Sequence, residues 1–231
     1  MFLGIDPLYW MMMAPVLLLS AFASFRVKSA FNKYSKRANR SGLTGAKVAE
    51  AILRRNGLSH VEVKEARGFL SDHYDPRKKV VKLSPNVFGS NSVAAVGVAA
   101  HETGHAIQHD KAYGPLKLRN MMVPVASIGS NLSWIIIVGG LFLDMLGLVK
   151  IGIALFSAVV LFQLITLPVE FNASSRAKKM LQEYGLVSQE DVRGVNSVLS
   201  AAAMTYVAAA ASAIMTLLYF LIRAGILGGD D

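Results

Sequence analysis

The chain contains no cysteine and few charged residues. Only 17% of its 231 residues are charged, whereas 53% are hydrophobic. The missing cysteine excludes disulfide bonds and every thiolate-based zinc or redox site, so any bound metal must be held by histidine, carboxylate or water. The low charge content is unusual for a soluble domain of this length and favours a protein embedded in a membrane.

Four apolar stretches are long enough to cross a bilayer, which takes roughly 17 to 25 helical residues. They comprise residues 8–25, 121–143, 151–169 and 201–222. Basic residues follow the first stretch and do not precede it, so we interpret it as a retained anchor and not as a signal peptide. The sequence therefore predicts a mainly α polytopic membrane protein with about four transmembrane helices.

Basic residues are concentrated between the predicted spans. Of the 24 lysines and arginines, 22 lie in residues 26–119 and 176–193, two regions that a four-span topology places on one side of the membrane. Because cytoplasmic loops are rich in lysine and arginine, this side is predicted to be the cytoplasm, with both termini outside. The topology accounts for the net charge of +9, so no nucleic-acid partner is expected.

The region between the first two spans is long enough for a small α+β subdomain. Helical periodicity predicts helices over residues 44–56 and 92–109, the second with Ser92 as its N-cap. The runs "HVEVKEA" and "KKVVKLS" predict two strands of a short sheet, with turn chemistry in "SDHYDPR" between them.

Two further helix boundaries are predicted beyond the third span. The helical pattern there continues to Gly185, and Ser188 with Asp191 forms a capping box that starts the last helix. Alanines at 201–203 and 208–211 give that helix a small-residue face, which allows close approach to a neighbour.

The stretch "VAAHETGHAIQH" carries the main chemical signal. His101 and His105 lie four residues apart, so on a helix both imidazoles can face one metal ion. Glu102, beside the first histidine, is placed to take a proton from water at that metal. The alternative is that both histidines are merely packed on an apolar helix.

A catalytic zinc site takes a third protein ligand. Gln108 and Lys111 stand where the metzincin pattern requires glycine and histidine, so that class is excluded. His109 lies two turns from His101 and is expected near the substrate or at the surface.

Among the downstream carboxylates, Asp144 falls on the wrong side of the membrane, and Glu183, Glu190 and Asp191 lie in polar, surface-like contexts. Glu170 follows an apolar span at the cytoplasmic boundary, where an ionisable group is costly without a partner. A metal would supply that partner, and pairing with Arg176 is the alternative.

Five segments together resemble the YugP-like membrane zinc metallopeptidases of bacteria, distant relatives of the HtpX and CAAX-prenyl-protease group. They are, in order, "SGLTGAKVAEAILRRNGL", "LSDHYDPRKKVVKLSP", "VAAHETGHAIQH", "PVEFNASSRAKKML" and "VLSAAAMTYVAAA". The resemblance implies a Zn²⁺ cofactor, His101, His105 and Glu170 as ligands, and Glu102 as general base. In the HtpX-like relatives an aspartate four residues after the ligand glutamate supports a ligand histidine. Ser174 stands there in this chain, and a neutral hydroxyl orients an imidazole less strongly.

Several residues have weaker assignments as accessories. Tyr206 is a candidate donor to the developing oxyanion or a membrane-interface anchor. Ser130 and Asn131 are expected to face the bundle interior or a wet cavity, or to bond between helices. Asp72 to Pro76 is read either as a hairpin turn or as a substrate contact. Val80 to Leu83 is a candidate edge strand that aligns a peptide, or else an ordinary sheet strand.

Three segments summarise the expected organisation: an N-terminal transmembrane anchor (1–25), a cytoplasmic catalytic subdomain with the HETGH helix (26–120), and a helical membrane region (121–231). The expected function is a zinc endopeptidase in the bacterial inner membrane, whose site faces the cytoplasm. Its expected partners are the bilayer, a polypeptide substrate, and a second copy or another membrane protein. The alternatives are a zinc-stabilised scaffold and a site-2-type intramembrane protease, in which the HETGH helix would itself cross the bilayer.

Overall fold

The computed structural model describes residues 6–68 and 71–227, which form seven helices and three short strands. Residues 1–5, 69–70 and 228–231, which belong to the three predicted segments, lie outside the described residues. The elements, in chain order, are α1 (Pro7–Ser35), α2 (Gly45–Arg55), β1 (Glu62–Glu65), β2 (His73–Asp75), β3 (Val80–Leu83), α3 (Pro85–Phe88), α4 (Val93–Asp110), α5 (Gly114–Phe142), α6 (Leu146–Glu183) and α7 (Gln189–Arg223).

The chain divides into two compact units. Unit 1 comprises the described parts of Met1–Ala23, Lys117–Pro168 and Thr205–Asp231, and unit 2 comprises those of Ser24–Leu116 and Val169–Met204. The four longest helices, α1, α5, α6 and α7, each contribute residues to both units.

Four helices of the described chain are long and apolar enough to cross a membrane, namely α1, α5, α6 and α7. The four apolar helices predicted from the sequence are therefore confirmed. Large apolar side chains on unit 1 lie on its outer surface, as Leu18, Ile135 and Phe142 do at 71%, 69% and 83% exposure. Such a surface is costly in water but is what lipid-facing helices present.

Asp6 connects the start of α1 to the last part of α7 within unit 1. Its carboxylate accepts a hydrogen bond from the backbone N–H of Leu8 at 3.0 Å and caps the start of α1. The hydroxyl of Tyr219, near the end of α7, donates to the same carboxylate at 2.9 Å. That hydrogen bond lowers the pKa of Asp6, against the opposing effect of burial. The contact fixes where α1 begins relative to α7.

The sheet in unit 2 has the order β1-β3-β2. β1 pairs with β3 in parallel and β2 pairs with β3 antiparallel. The candidate edge strand Val80–Leu83 is therefore the central strand, and both of its edges are already paired, so it has none for a peptide to join. The expectation of strand addition at β3 is wrong, and ordinary sheet pairing is confirmed.

The segment predicted as a turn between the strands is in part a strand. His73–Asp75 forms β2, while Asp72 accepts hydrogen bonds from the backbone N–H and hydroxyl of Ser84 at 2.8 and 3.0 Å. The turn itself is residues 76–79, and the carboxylate of Asp75 before it accepts from the backbone N–H groups of Arg77 and Lys78 at 3.0 and 3.1 Å. Asp72 thus has a structural role in linking the loop before β2 to the end of β3.

The helix boundaries of unit 2 follow the capping residues. Ser92 accepts a hydrogen bond from the N–H of Ala95 at 3.2 Å and begins α4. α6 continues to Glu183, and Gly185 follows with the positive φ of 63° that ends many helices. At the start of α7 the hydroxyl of Ser188 accepts from the N–H of Asp191 at 3.2 Å and donates to its carboxylate at 2.7 Å. All three predicted boundaries are confirmed.

Asp191 is fully buried, so its prediction as a surface residue is wrong. Its carboxylate accepts from the backbone N–H of Arg40 at 3.0 Å and lies 3.4 Å from the guanidinium of Arg37. Both partners lie in the segment after α1, and Arg40 is 151 residues away from Asp191 in the sequence. A local polar context therefore concealed a long-range contact.

Candidate metal centre

Helix α4 presents two histidines from consecutive turns. His101 and His105 lie four residues apart, and their rings are nearly perpendicular, with centroids 4.8 Å apart. Most of α4 is buried in unit 2, and the side chains of His101 and His105 are only 14% and 11% exposed. Each imidazole directs its Nε2 atom towards the same carboxylate oxygen, the Oε2 of Glu170, at 3.3 Å for His101 and 3.6 Å for His105.

Helix α6 supplies the third member of the cluster. Glu170 is 2% exposed, and one ligand atom from each of His101, His105 and Glu170 lies within 4.8 Å of the others. Glu170 follows His105 by 65 positions and His101 by 69 in the sequence. Only the packing of α6 on α4 therefore brings it to the histidines. The structure therefore brings together the three residues that the sequence predicted as a ligand set.

Gly104, between the two histidines, allows this close packing. A β-carbon at this position would lie 2.8 Å from the carbonyl oxygen of Ala173 and 3.2 Å from its Cα. Both are backbone atoms of α6, which cannot move aside as a flexible side chain can. The sequence analysis missed this role, although a glycine inside an otherwise helical pattern is the signal that could have shown it.

The electrostatics of the cluster favour a cation. Burial by itself lowers the pKa of His105, but its hydrogen bond with Glu170 and the negative charges of Glu102 and Glu170 outweigh burial and raise that pKa above its ordinary value. Glu102 is itself 9% exposed. Two buried carboxylates thus act on the His105 ring, and a positive charge near them stabilises both.

Each histidine has a hydrogen-bond partner on its other ring nitrogen. Ser174 places its hydroxyl 3.1 Å from Nδ1 of His101, which is the supporting position implied by the family resemblance. Gln108 places its Oε1 atom 3.0 Å from Nδ1 of His105. Gln108 figured in the sequence analysis only as a departure from the metzincin pattern, so this contact was missed.

The three side chains fit a zinc ion. Two imidazoles with one carboxylate are a donor set that catalytic zinc sites use, with the remaining position open to water. Metal bonds of about 2.0 to 2.1 Å in a tetrahedral site place ligand atoms roughly 3.4 Å apart. The distances of 3.3 and 3.6 Å from Glu170 to the two imidazoles match that spacing.

His109 lies outside the ligand group. It is exposed at the end of α4, and its Nδ1 is 2.9 Å from the hydroxyl of Tyr74 on β2. The expectation of a surface position agrees with this exposure. The contact also ties the "DHYDP" segment to α4 through Tyr74.

Tyr206 and Asn131 belong to unit 1. Asn131 is exposed, and its amide nitrogen lies 3.5 Å from the backbone oxygen of Ser127 in its own helix. Ser130 donates to the same oxygen at 3.0 Å. Asn131 is thus exposed and is not packed in the bundle interior, while the alternative that it faces a wet cavity stays a prediction. Tyr206 is partly buried on α7, and its role as an oxyanion donor stays a prediction.

Comparisons with known proteins agree with the geometry. The chain matches, over residues 9–225, the family described as "Putative neutral zinc metallopeptidase". A curated relative, "Putative membrane protease YugP" of Bacillus subtilis (strain 168), is 52% identical over 203 residues, which cover 88% of this chain and 90% of the relative. No solved structure gives a significant match.

Proposed function

The chain is a membrane protein that belongs to the family described as "Putative neutral zinc metallopeptidase", and from this membership we propose that it is a zinc-dependent endopeptidase. Its substrates are membrane or membrane-proximal polypeptides, and it cleaves them at the cytoplasmic face of the bacterial cell membrane.

One observation carries the proposal: the ligand atoms of His101, His105 and Glu170 lie within 4.8 Å of one another, and the buried carboxylate of Glu102 lies close enough for its charge to act on His105. A purely structural metal site has no use for a buried carboxylate beyond its ligands, whereas hydrolysis requires a proton acceptor. The fourth group therefore favours catalysis over a scaffold.

The three ligand side chains would hold the ion through Nε2 of each histidine and the carboxylate of Glu170. Zinc, when bound there, supplies a Lewis acid that acidifies a water molecule and polarises the peptide carbonyl. Glu102 accepts the proton of the attacking water on its carboxylate and then donates it to the departing amide nitrogen.

Two features support a site beside the membrane and not within it. α4, with 18 residues, is not one of the helices in the described chain that qualify as membrane spans. His101 and His105 lie within the basic segment 26–119, and Glu170 shortly precedes the basic segment 176–193; such segments are typical of the cytoplasmic side. The site-2-type alternative requires α4 itself to cross the bilayer, so it is disfavoured.

Replacement of Glu102 by glutamine tests the function. Glutamine keeps the size of the side chain but cannot accept the proton, so peptide cleavage should fall by about 10² or more while zinc content stays near normal. Cleavage of unfolded and membrane polypeptides and zinc content are measured on the same purified preparation. The matched control is Glu50→Gln, at an exposed position of α2, which should cleave like the unmodified protein.

Two outcomes would contradict the proposal, the first for the role of Glu102 and the second for peptide cleavage itself. Equal cleavage by Glu102→Gln and the unmodified protein would remove Glu102 from the mechanism. Zinc binding without cleavage in the unmodified protein, across the whole substrate panel, would favour the scaffold.

A further inference from the structure

Gln108, near the end of α4, is buried against α6. It contacts both the helix that carries the histidines and the helix that carries Glu170. Its side chain is 0% exposed, and its Oε1 atom lies 3.0 Å from Nδ1 of His105. Its amide nitrogen donates to the backbone oxygen of Val169 at 2.8 Å and to Oδ1 of Asn172 at 3.0 Å. Val169 immediately precedes Glu170 and Asn172 follows it by two residues, so one amide spans the segment that carries the third ligand.

Two groups of fixed polarity determine which way the Gln108 amide faces. The backbone oxygen of Val169 can only accept a hydrogen bond, so the amide nitrogen must face it. The Nε–H of Arg176 can only donate, and it donates to Oδ1 of Asn172 at 2.7 Å. Asn172 therefore presents its oxygen, which again requires the amide nitrogen of Gln108. Both constraints turn Oε1 of Gln108 towards His105.

The orientation of Gln108 fixes the tautomer of His105. Oε1 only accepts hydrogen bonds, so Nδ1 of His105 must carry the proton. Nε2, the atom that faces Glu170, is therefore the ring nitrogen left to bind a metal. Gln108 thus reserves Nε2 for the ion.

We propose that Gln108 is a positioning residue of the metal centre: it holds His105 as the Nδ1–H tautomer and fixes that ring against the α6 segment that carries Glu170. The inference rests on the proposed zinc site. It assigns a function to a series of hydrogen-bonded side chains in which each one orients the next: Arg176, Asn172, Gln108 and His105.

His101 is held in a different way. Its partner, the hydroxyl of Ser174, can donate or accept, so it does not select a tautomer by itself. The two histidines therefore differ: Gln108 presets His105, whereas His101 and Ser174 adjust to one another. Loss of Gln108 should affect zinc binding for this reason, even though Gln108 is not a ligand.

The test compares zinc affinity in full-length protein that has been purified and stripped of metal. Zn²⁺ alone is titrated against a competing chelator in the unmodified protein and in Gln108→Met. This replacement keeps the length of the side chain but removes all three of its hydrogen bonds. The affinity should fall by about 10- to 100-fold, the usual effect of losing a partner that orients a ligand. Gln182→Met, the same replacement at an exposed position of α6, is the matched control and should bind zinc normally.

A second measurement separates orientation from general stability. Nitrogen-15 chemical shifts of the histidine rings in the metal-free unmodified protein should show a proton on Nδ1 of His105, whether or not Nε2 beside Glu170 is protonated as well, and Gln108→Met should show Nδ1 less protonated. Normal zinc affinity in Gln108→Met would overturn the inference, as would a His105 ring without a proton on Nδ1 in the unmodified protein. If the unmodified protein binds no zinc, the proposed function fails, while the ring measurement still decides the role of Gln108.

Discussion

Glu170 shows at the scale of one residue how a costly group becomes part of a site. A carboxylate that is 2% exposed at the end of an apolar stretch loses its hydration, and this cost must be offset by partners. The two imidazoles at 3.3 and 3.6 Å are those partners in the described structure. The alternative partner considered from the sequence, Arg176, instead donates its Nε–H to Asn172.

We expect Glu170→Ala to lower zinc affinity because it removes one of three ligands. The loss should be at least as large as the roughly 10- to 100-fold loss seen when a residue that supports a ligand is replaced. Titration of Zn²⁺ against a competing chelator is the measurement, and Glu183→Ala, at an exposed position of the same helix, is its control. Retention of zinc in Glu170→Ala, with loss in Asp144→Ala or His109→Ala, would show that the ligand set is wrong.

At the scale of the elements, the metal centre depends on how closely α4 and α6 pack. Glycine is among the least favourable residues inside a helix, by about 1 kcal/mol relative to alanine. Gly104 nevertheless lies in the middle of α4, because any β-carbon there would meet the backbone of Ala173. Local helix stability is thus sacrificed for the close approach that brings Glu170 to the histidines.

Gly104→Ala should therefore destabilise the protein, although alanine has the higher helix propensity. The added methyl group pushes α6 away from α4, so both zinc affinity and the thermal unfolding temperature should decrease, the affinity by tenfold or more. Gly139→Ala is the control, because a β-carbon at that helical position of α5 meets nothing within 4 Å. An unchanged zinc affinity in Gly104→Ala would mean that the ligand set tolerates a wider separation of the helices.

At the scale of the whole molecule, the distribution of charge predicts how the chain lies in the membrane. The lysines and arginines fall almost entirely between the first and second apolar stretches and between the third and fourth. With four spanning helices, both regions are predicted to face the same side, and the positive-inside rule predicts that this side is the cytoplasm. The same rule predicts that the turn between α5 and α6 lies outside.

The absence of cysteine allows this topology to be tested with single-cysteine variants. Lys64→Cys, on the exposed strand β1, should react with an impermeant thiol reagent only after the cells are lysed. Met145→Cys, exposed between α5 and α6, should react in intact cells and serves as the control. The reverse pattern of labelling would place the metal centre outside the cell.

The sequence by itself determined the features that depend on neighbours within one or two turns of a helix. Four apolar helices, the N-cap of α4, the capping box of α7 and the shared face of His101 and His105 all follow from spacing and side-chain type. Such features are set by local geometry, which a linear pattern records directly. Glu170 could be singled out because the cost of a carboxylate at a membrane boundary is also evident from the sequence.

Only the tertiary structure decided which distant groups meet. The central place of β3, the burial of Asp191 against Arg40 and the contact of Gln108 with Val169, 61 residues away, have no local signature. Strand alternation does not reveal the order of strands in a sheet, and a polar residue looks the same in sequence whether its partner is water or a distant backbone group. These contacts form because packing removes the polar groups from water, so each must find a partner that the fold supplies.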